Sequence, residues 1–216
     1  MRVVRLSADG RELAGLLPQR APGSRVLLGI TGAPGAGKST LATRLVQAAG
    51  AVVVPMDGFH LADVELARRG LLDRKGAPET FDAWGYAALL DRLRRRPDHV
   101  VMAPAFEREL EQPLAGAVPV PPEADLVVTE GNYLLLDGPP WAEVRASLDA
   151  VWHVVTDDAV RVPRLVERHV AFGKSPVDAR AWVDRVDQPN AELVEAARSR
   201  SDVLLDLTDW DHAQPC

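Results

Sequence analysis

Cysteine is almost absent: Cys216, the last residue, is the only one in 216. An intramolecular disulfide and a cysteine-based metal cage are both excluded, and a reducing compartment is the natural setting. Excess positive charge is missing too. With 25 Lys and Arg against 31 Asp and Glu the formal net charge is −6, whereas a surface built to hold nucleic acid or anionic lipid needs a clear basic excess. Any phosphate recognition has to be local. No apolar run approaches the roughly 18 residues of a membrane span, and the polar start Met1-Arg2-Val3-Val4-Arg5 lacks the apolar centre of a signal peptide. Repeats, low-complexity tracts and an interdomain linker are likewise missing. The expectation is a cytoplasmic protein without nucleic-acid or membrane partners, folded as one domain over residues 1–216.

The rest of the composition, 47% hydrophobic and 26% charged, is that of an ordinary globular chain able to bury a sizeable core. Leu13, Leu16 and Leu17 at helical spacing predict a lead-in helix within residues 1–24, ended by Pro22-Gly23. Residues 26–30 read as a first buried strand, and strand-length apolar runs recur at 51–55, 100–103, 126–129, 151–155 and 203–207. Between them, residues 41–49, 84–93, 160–170 and 191–197 carry helical periodicity. Apolar strands alternating with helices indicate an α/β fold, with a mainly parallel sheet covered on both faces. Residues 104–122, with Pro113, Pro119, Pro121 and Pro122 in their second half, predict a loop or short hairpin over the site.

Gly32-Ala33-Pro34-Gly35-Ala36-Gly37-Lys38-Ser39-Thr40 joins the first strand to the first helix. Glycines at this spacing let backbone N–H groups converge on nucleotide phosphates, because they tolerate unusual dihedrals and leave no side chain in the way. Lys38 is placed to reach the outer phosphates, Ser39 to offer a hydroxyl to Mg2+, and the helix N-terminus to face the anion. The loop establishes nucleotide binding and leaves the reaction open. The Asn-Lys-x-Asp motif of a GTPase and the glycine-rich signature of a transporter-type ATPase are both lacking.

Asp57 ends the run from Val52 to Met56, at the sheet edge where open α/β folds bind ligands. It is a candidate base for an attacking hydroxyl, or a turn residue of the pair Asp57-Gly58. Glu130 ends the run from Leu126 to Thr129 and is a candidate holder of Mg2+, directly or through water, or else a partner for a buried donor. Arg161, Arg164 and Arg168 recur at three and four residues, hence on one helical face. They could close over a transferring phosphoryl group, with Arg164 and Arg168 the stronger candidates, or form a solvated surface beside Asp157, Asp158 and Glu167. His60, Phe106, Glu107 and Arg108 offer polar and aromatic atoms to an acceptor, and Asp82 either joins them or caps the helix that follows.

Taken together, the loop at 32–40, Asp57-Gly58-Phe59-His60, the segment Lys75 to Asp82, Pro104-x-Phe106-x-Arg108, Glu130-Gly131-Asn132-Tyr133-Leu134-Leu135 and the arginine helix resemble the phosphoribulokinase, uridine kinase and bacterial pantothenate kinase family. The likeness runs from about Arg25 to Leu207. It implies a three-layer P-loop fold with about five core strands, a helical lid near 157–188, ATP with Mg2+, and transfer to a hydroxyl of a small alcohol. It supports Asp57 as base, Glu130 at the metal, and Arg164 and Arg168 in the lid; beside it, the residues themselves offer Lys38 as a further catalytic cation, Ser39 at the metal, and His60, Lys75, Asp82, Phe106 and Arg108 at the acceptor. A homodimer is compatible with it. Uridine kinases usually carry Asp-Ser-Phe-Tyr where this chain has Asp57-Gly58-Phe59-His60, which is closer to pantothenate kinases and to the sugar-kinase-like branch of the family. The chain is shorter than those enzymes, so a truncated acceptor pocket follows. Asp187-Gln188-Pro189-Asn190 resembles a stretch leading into the last helix of short family members, where it would position the lid or the adenine; helix capping by Asp187 or Asn190 is the preferred reading. An ATP-binding regulatory module without turnover and a nucleotide hydrolase are the alternatives.

Overall fold

The computed structural model describes residues 2–19, 21–208 and 210, so Cys216 lies outside the described residues. The chain runs β1 (Arg2–Arg5), β2 (Val26–Gly32), α1 (Lys38–Ala49), β3 (Val52–Pro55), α2 (Asp63–Arg69), α3 (Ala83–Arg94), β4 (Val101–Glu107), β5 (Gln112–Val120), β6 (Leu126–Glu130), α4 (Trp141–Ala146), β7 (Ala150–Val155), α5 (Asp158–Ala171), α6 (Pro176–Trp182), α7 (Gln188–Ala196) and β8 (Val203–Asp206). Six strands form one parallel sheet in the order β1-β8-β7-β2-β6-β3. A strand covered on both faces needs apolar residues at every position, and every residue of β2 is buried. Leu27 enters one core with Val54, Val127 and Val151; its neighbour Leu28 enters the other with Val128, Trp152 and Leu205. Tyr86 and Leu90 of α3 and Val144 of α4 close the first core, and Leu41 and Leu45 of α1 close the second. Each fully buried leucine contributes about 1.5–3 kcal/mol.

Register decides where a ligand can sit. Glu130 pairs with Ile30 on one side and with Pro55 on the other, so the ends of β2, β6 and β3 stand abreast. The segments that follow these strands emerge at one carboxyl edge, joined there by the segment after β7, whose Val154 pairs with Gly32.

Three expectations change. The lead-in helix is replaced by a single 3-10 turn, Leu13–Leu16, which still buries Leu13 and Leu16 in the second core. The sheet has six strands rather than about five. The added one is β1, whose exposed Val3 and flanking arginines give no apolar run and which is held by pairing with β8. The run at 100–103 does not join the parallel sheet, because β4 pairs antiparallel with β5 in a separate hairpin. This hairpin is one of the two forms expected for residues 104–122. Its prolines are tolerated because a two-stranded ribbon has outward edges that need no N–H donor, and Pro104 falls at a register shift. Among the described residues, no helix is long and apolar enough to cross a membrane.

Candidate active site

Between Gly32 and Lys38 the backbone arches over the N-terminus of α1. Gly35 has φ +78°, and a Cβ there would lie 2.8 Å from Leu165 Cγ, so the loop requires glycine both for its conformation and for its contact with α5. Lys38 is buried, and its Nζ donates to the carbonyls of Gly32 and Ala33, each at 3.0 Å. Burial pushes its ammonium down to about 8, while Glu130 and Asp57 hold it up.

Ser39 Oγ, in the first turn of α1, donates to Glu130 Oε1 at 3.0 Å. Glu130 is only 8% exposed, and burial together with the charge of Asp57 raises its carboxyl pKa, against the opposing influence of Lys38 and Ser39. Asp57 lies just past β3 on a 3-10 turn, Met56–Phe59, one strand over from Glu130. Gly58 lets that turn meet the hairpin, since a Cβ there would fall 2.5 Å from the Pro104 carbonyl. Arg108 Nη2 approaches the Asp57 carboxylate at 3.7 Å.

A cleft of about 730 Å³ opens from the phosphate loop past Glu130 and Asp57. Its far wall is aromatic: the His60 ring lies 4.0 Å from Phe81 and 4.7 Å from Phe106. His60 Nδ1 sits 2.8 Å from the Asp57 carbonyl, which can only accept, so Nδ1 carries the proton and Nε2 is an acceptor. Burial lowers the pKa of this ring and keeps it neutral. Lys75 also lines the cleft, with Nζ donating to Asp63 Oδ1 at 2.6 Å and to the Glu111 carbonyl.

The structure does not bring Asp82 into this cleft. Its Oδ1 accepts from Gly85 N–H at 2.9 Å as the cap of α3, and it faces a smaller depression beside Trp84 and Trp141. Arg161 also departs from the expected arginine face. Arg164 and Arg168 line the cleft, but Arg161 is 1% exposed and points into the protein. Its guanidinium donates to Asp158 Oδ1 at 2.9 Å, the Pro34 carbonyl at 3.1 Å and Gln188 Oε1 at 2.6 Å, fastening α5 to the phosphate loop and to α7. The preferred capping role of Asp187 and Asn190 is overturned. The Asp187 carboxylate pairs with His169 Nε2 at 2.8 Å, Asn190 Nδ2 reaches the Gly76 carbonyl at 3.4 Å, and both residues line the cleft. Phe172, Lys174 and Trp182 complete the lid side. Lys174 closes the basic stretch that begins at Arg161, whereas nothing in the local sequence marks Phe172 and Trp182.

The sequence profile of the phosphoribulokinase/uridine kinase family matches residues 27–208. A Schizosaccharomyces pombe protein provisionally named a uridine kinase is 32% identical over 194 residues, which span 84% of this chain and 83% of that protein. A pantothenate kinase of Clavibacter michiganensis is 26% identical over 94% of this chain and 72% of its own length. The solved structure of a Silicibacter sp. TM1040 protein, provisionally described as a fructose transport system kinase, shares 40% identity and a TM-score of 0.80, with 90% of this chain and 95% of that one covered. The chain belongs to the phosphoribulokinase/uridine kinase family and is a P-loop kinase that phosphorylates an alcohol group on a small molecule.

Proposed function

We propose that the donor is ATP and that Asp57 is the base. The observation that supports this most directly is the order along the sheet edge: phosphate loop, Ser39–Glu130 pair, then Asp57. In that order a γ-phosphoryl group held by the loop faces a hydroxyl held at Asp57. As the hydroxyl oxygen bonds to phosphorus, the bond from phosphorus to the β-γ bridging oxygen breaks, ADP leaves, and the hydroxyl proton passes to Asp57. Lys38, with Arg164 and Arg168 across the cleft, neutralises the charge spread over the transferring oxygens. His60, Lys75, Phe106 and Arg108 hold the acceptor, and Asp187 and Asn190 join them. Asp82 is left as a helix cap.

Ser39 and Glu130 fit Mg2+. They present two oxygen donors together in the cleft, and the raised pKa of the buried carboxylate marks a site that would welcome a cation. When bound, Mg2+ supplies charge neutralisation and alignment of the phosphate chain. One carboxylate and one hydroxyl suffice, because substrate phosphates and water fill the other positions of such sites.

The acceptor is a nucleoside-, pantothenate- or sugar-like alcohol. ADP release measured with and without such alcohols tests the proposal. An acceptor that raises turnover well above the water background supports a kinase with ATP as donor. Equal rates with and without every alcohol would point to a hydrolase instead, and ATP binding without turnover to a regulatory module.

A further inference from the structure

Two donors from distant parts of the chain meet at one carbonyl of the cleft wall. The Tyr133 hydroxyl, just after β6, donates to the Gly76 carbonyl, and Asn190 Nδ2, in the first turn of α7, reaches the same oxygen at 3.4 Å. A carbonyl oxygen has two lone pairs, so both are engaged and neither is left for a substrate, although Gly76 lines the cleft beside Lys75. The bonds serve to hold the chain there. Gly76 has φ +101°, and its N–H donates to Thr80 Oγ1 at 3.0 Å, which donates onward to the Ala77 carbonyl at 2.7 Å. The far end of this segment is pinned by backbone bonds, Leu61 N–H to the Thr80 carbonyl and Asp82 N–H to the Phe59 carbonyl, each at 2.8 Å. Its near end, Lys75 to Ala77, belongs to no helix or strand. Beyond its own local turns it is tied down by the Gly76 carbonyl and by the Lys75 ammonium, which donates to Asp63 Oδ1 and the Glu111 carbonyl.

Tyr133 is itself rigidly placed. It is fully buried, with its ring edge-on to Phe81 at 5.6 Å and to Trp141 at 5.5 Å between centroids. Burial pushes its phenol above the ordinary value of 10.0, opposed by a hydrogen bond from the Asn132 side chain, so the hydroxyl keeps its proton and remains a donor. The Asn132 carbonyl in turn accepts from Thr31 Oγ1 at 2.8 Å, and Thr31 immediately precedes the phosphate loop. One line of bonds therefore runs from the start of that loop, past the residues that follow Glu130, to the segment that carries Lys75. Tyr133 does not line the cleft.

Resting on the kinase reading above, we infer that Tyr133 is a positioning residue for phosphoryl transfer: through the Gly76 carbonyl its hydroxyl fixes the acceptor wall relative to the phosphate loop while touching neither substrate. An acceptor hydroxyl has to stand roughly 3–3.5 Å from the phosphorus, and a misplacement of about 1 Å can cost 10²-fold in rate.

Tyr133→Phe removes one oxygen and keeps the ring with its packing, so the variant folds; the lost hydrogen bond is expected to lower the melting temperature by only about 2–4 °C. Wild type and variant are assayed with uridine, pantothenate and fructose, following both ADP and phosphorylated alcohol. With whichever alcohol responds, the variant is expected to show a rise in acceptor KM of about tenfold, KM for ATP within about threefold, and more ADP released per alcohol phosphorylated, because a displaced acceptor lets water compete. A purely structural role would move neither the KM split nor that ratio. Amide hydrogen exchange decides the point without an acceptor: in Tyr133→Phe it is expected to quicken at residues 75–80 and to stay unchanged at 32–40. Unchanged exchange at 75–80, exchange quickened throughout the chain, or an acceptor KM equal to that of wild type overturns the inference. Failure of every alcohol to raise ADP release in the wild type strikes the kinase reading instead, and the exchange result still stands for or against the hold of Tyr133 on this segment.

Discussion

Ser39 and Glu130 lie on different elements, yet Ser39 Oγ donates to Glu130 Oε1 at 3.0 Å because β2 and β6 are neighbours in register. A buried carboxylate with a raised pKa opposes folding once it ionises. In the sign convention of proton linkage, the folded chain binds more protons than the unfolded one from the ordinary value of 4.5 upward, so stability falls with rising pH until the raised folded value is passed. At neutral pH the wild-type protein carries that cost. Glu130→Gln is therefore expected to raise the melting temperature without added metal, and to raise the Mg2+ concentration for half-maximal activity by about 10- to 100-fold. An unchanged Mg2+ requirement in Glu130→Gln, measured at saturating ATP, removes Glu130 from the metal site.

Asp57 is proposed to act on the acceptor and Lys38 on the donor, so their removal should separate kinetically. Asp57→Asn is expected to lower kcat about 10²- to 10⁴-fold with KM for ATP within about threefold, because only the proton transfer is lost. Steady-state kinetics at saturating acceptor checks this. Activity within a few-fold of wild type would show that some other group takes the proton.

Much of this arrangement could be read from the sequence because function constrains the local chain strongly. The phosphate loop needs glycine where φ is positive, and buried parallel strands need unbroken apolar runs. Other parts depend on partners far away in sequence. β1 is polar and exposed, and it is a strand only because Val203–Asp206 pairs with it about two hundred residues later. Asp187 looks like a cap by local rules, but its carboxylate turns to His169, a choice made by how α5 and α7 pack. The three arginines of α5 do share a helical stripe. Periodicity cannot tell which side of the stripe meets the cleft and which meets the phosphate loop; Arg161, ranked below Arg164 and Arg168 from the sequence, is the one that meets the loop.

That brace can be tested directly. Arg161 ties the Pro34 carbonyl to Asp158 and Gln188, so the first turn of α5 supports the phosphate loop. Arg161→Met leaves a buried carbonyl and a partly buried amide oxygen without the donor they have here. It is expected to destabilise the protein by about 2–4 kcal/mol in chemical denaturation. A purely structural role would stop there. A positioning role adds a rise in KM for ATP of about tenfold, with KM for the acceptor nearly unchanged, measured well below the melting temperature. Equal effects on both KM values would assign Arg161 to general stability alone.

Lys38 supplies the pH dependence. Its pKa is lowered to about 8 by burial, and the protonated form is the one that pairs with phosphate. Because kcat/KM reports the free enzyme, the value for ATP is expected to be level just below pH 8 and to fall about tenfold per pH unit above it. Stability should move the other way. The unfolded lysine keeps its proton up to 10.5, so between pH 8 and 10.5 the unfolded chain binds more protons, and this group makes the folded state more stable as pH rises. Loss of activity above pH 8 without a fall in melting temperature is therefore the signature of Lys38 deprotonation rather than of unfolding. A kcat/KM profile that stays flat to pH 9.5 would mean that the Lys38 ammonium is held as a cation more firmly than its burial beside Glu130 and Asp57 implies.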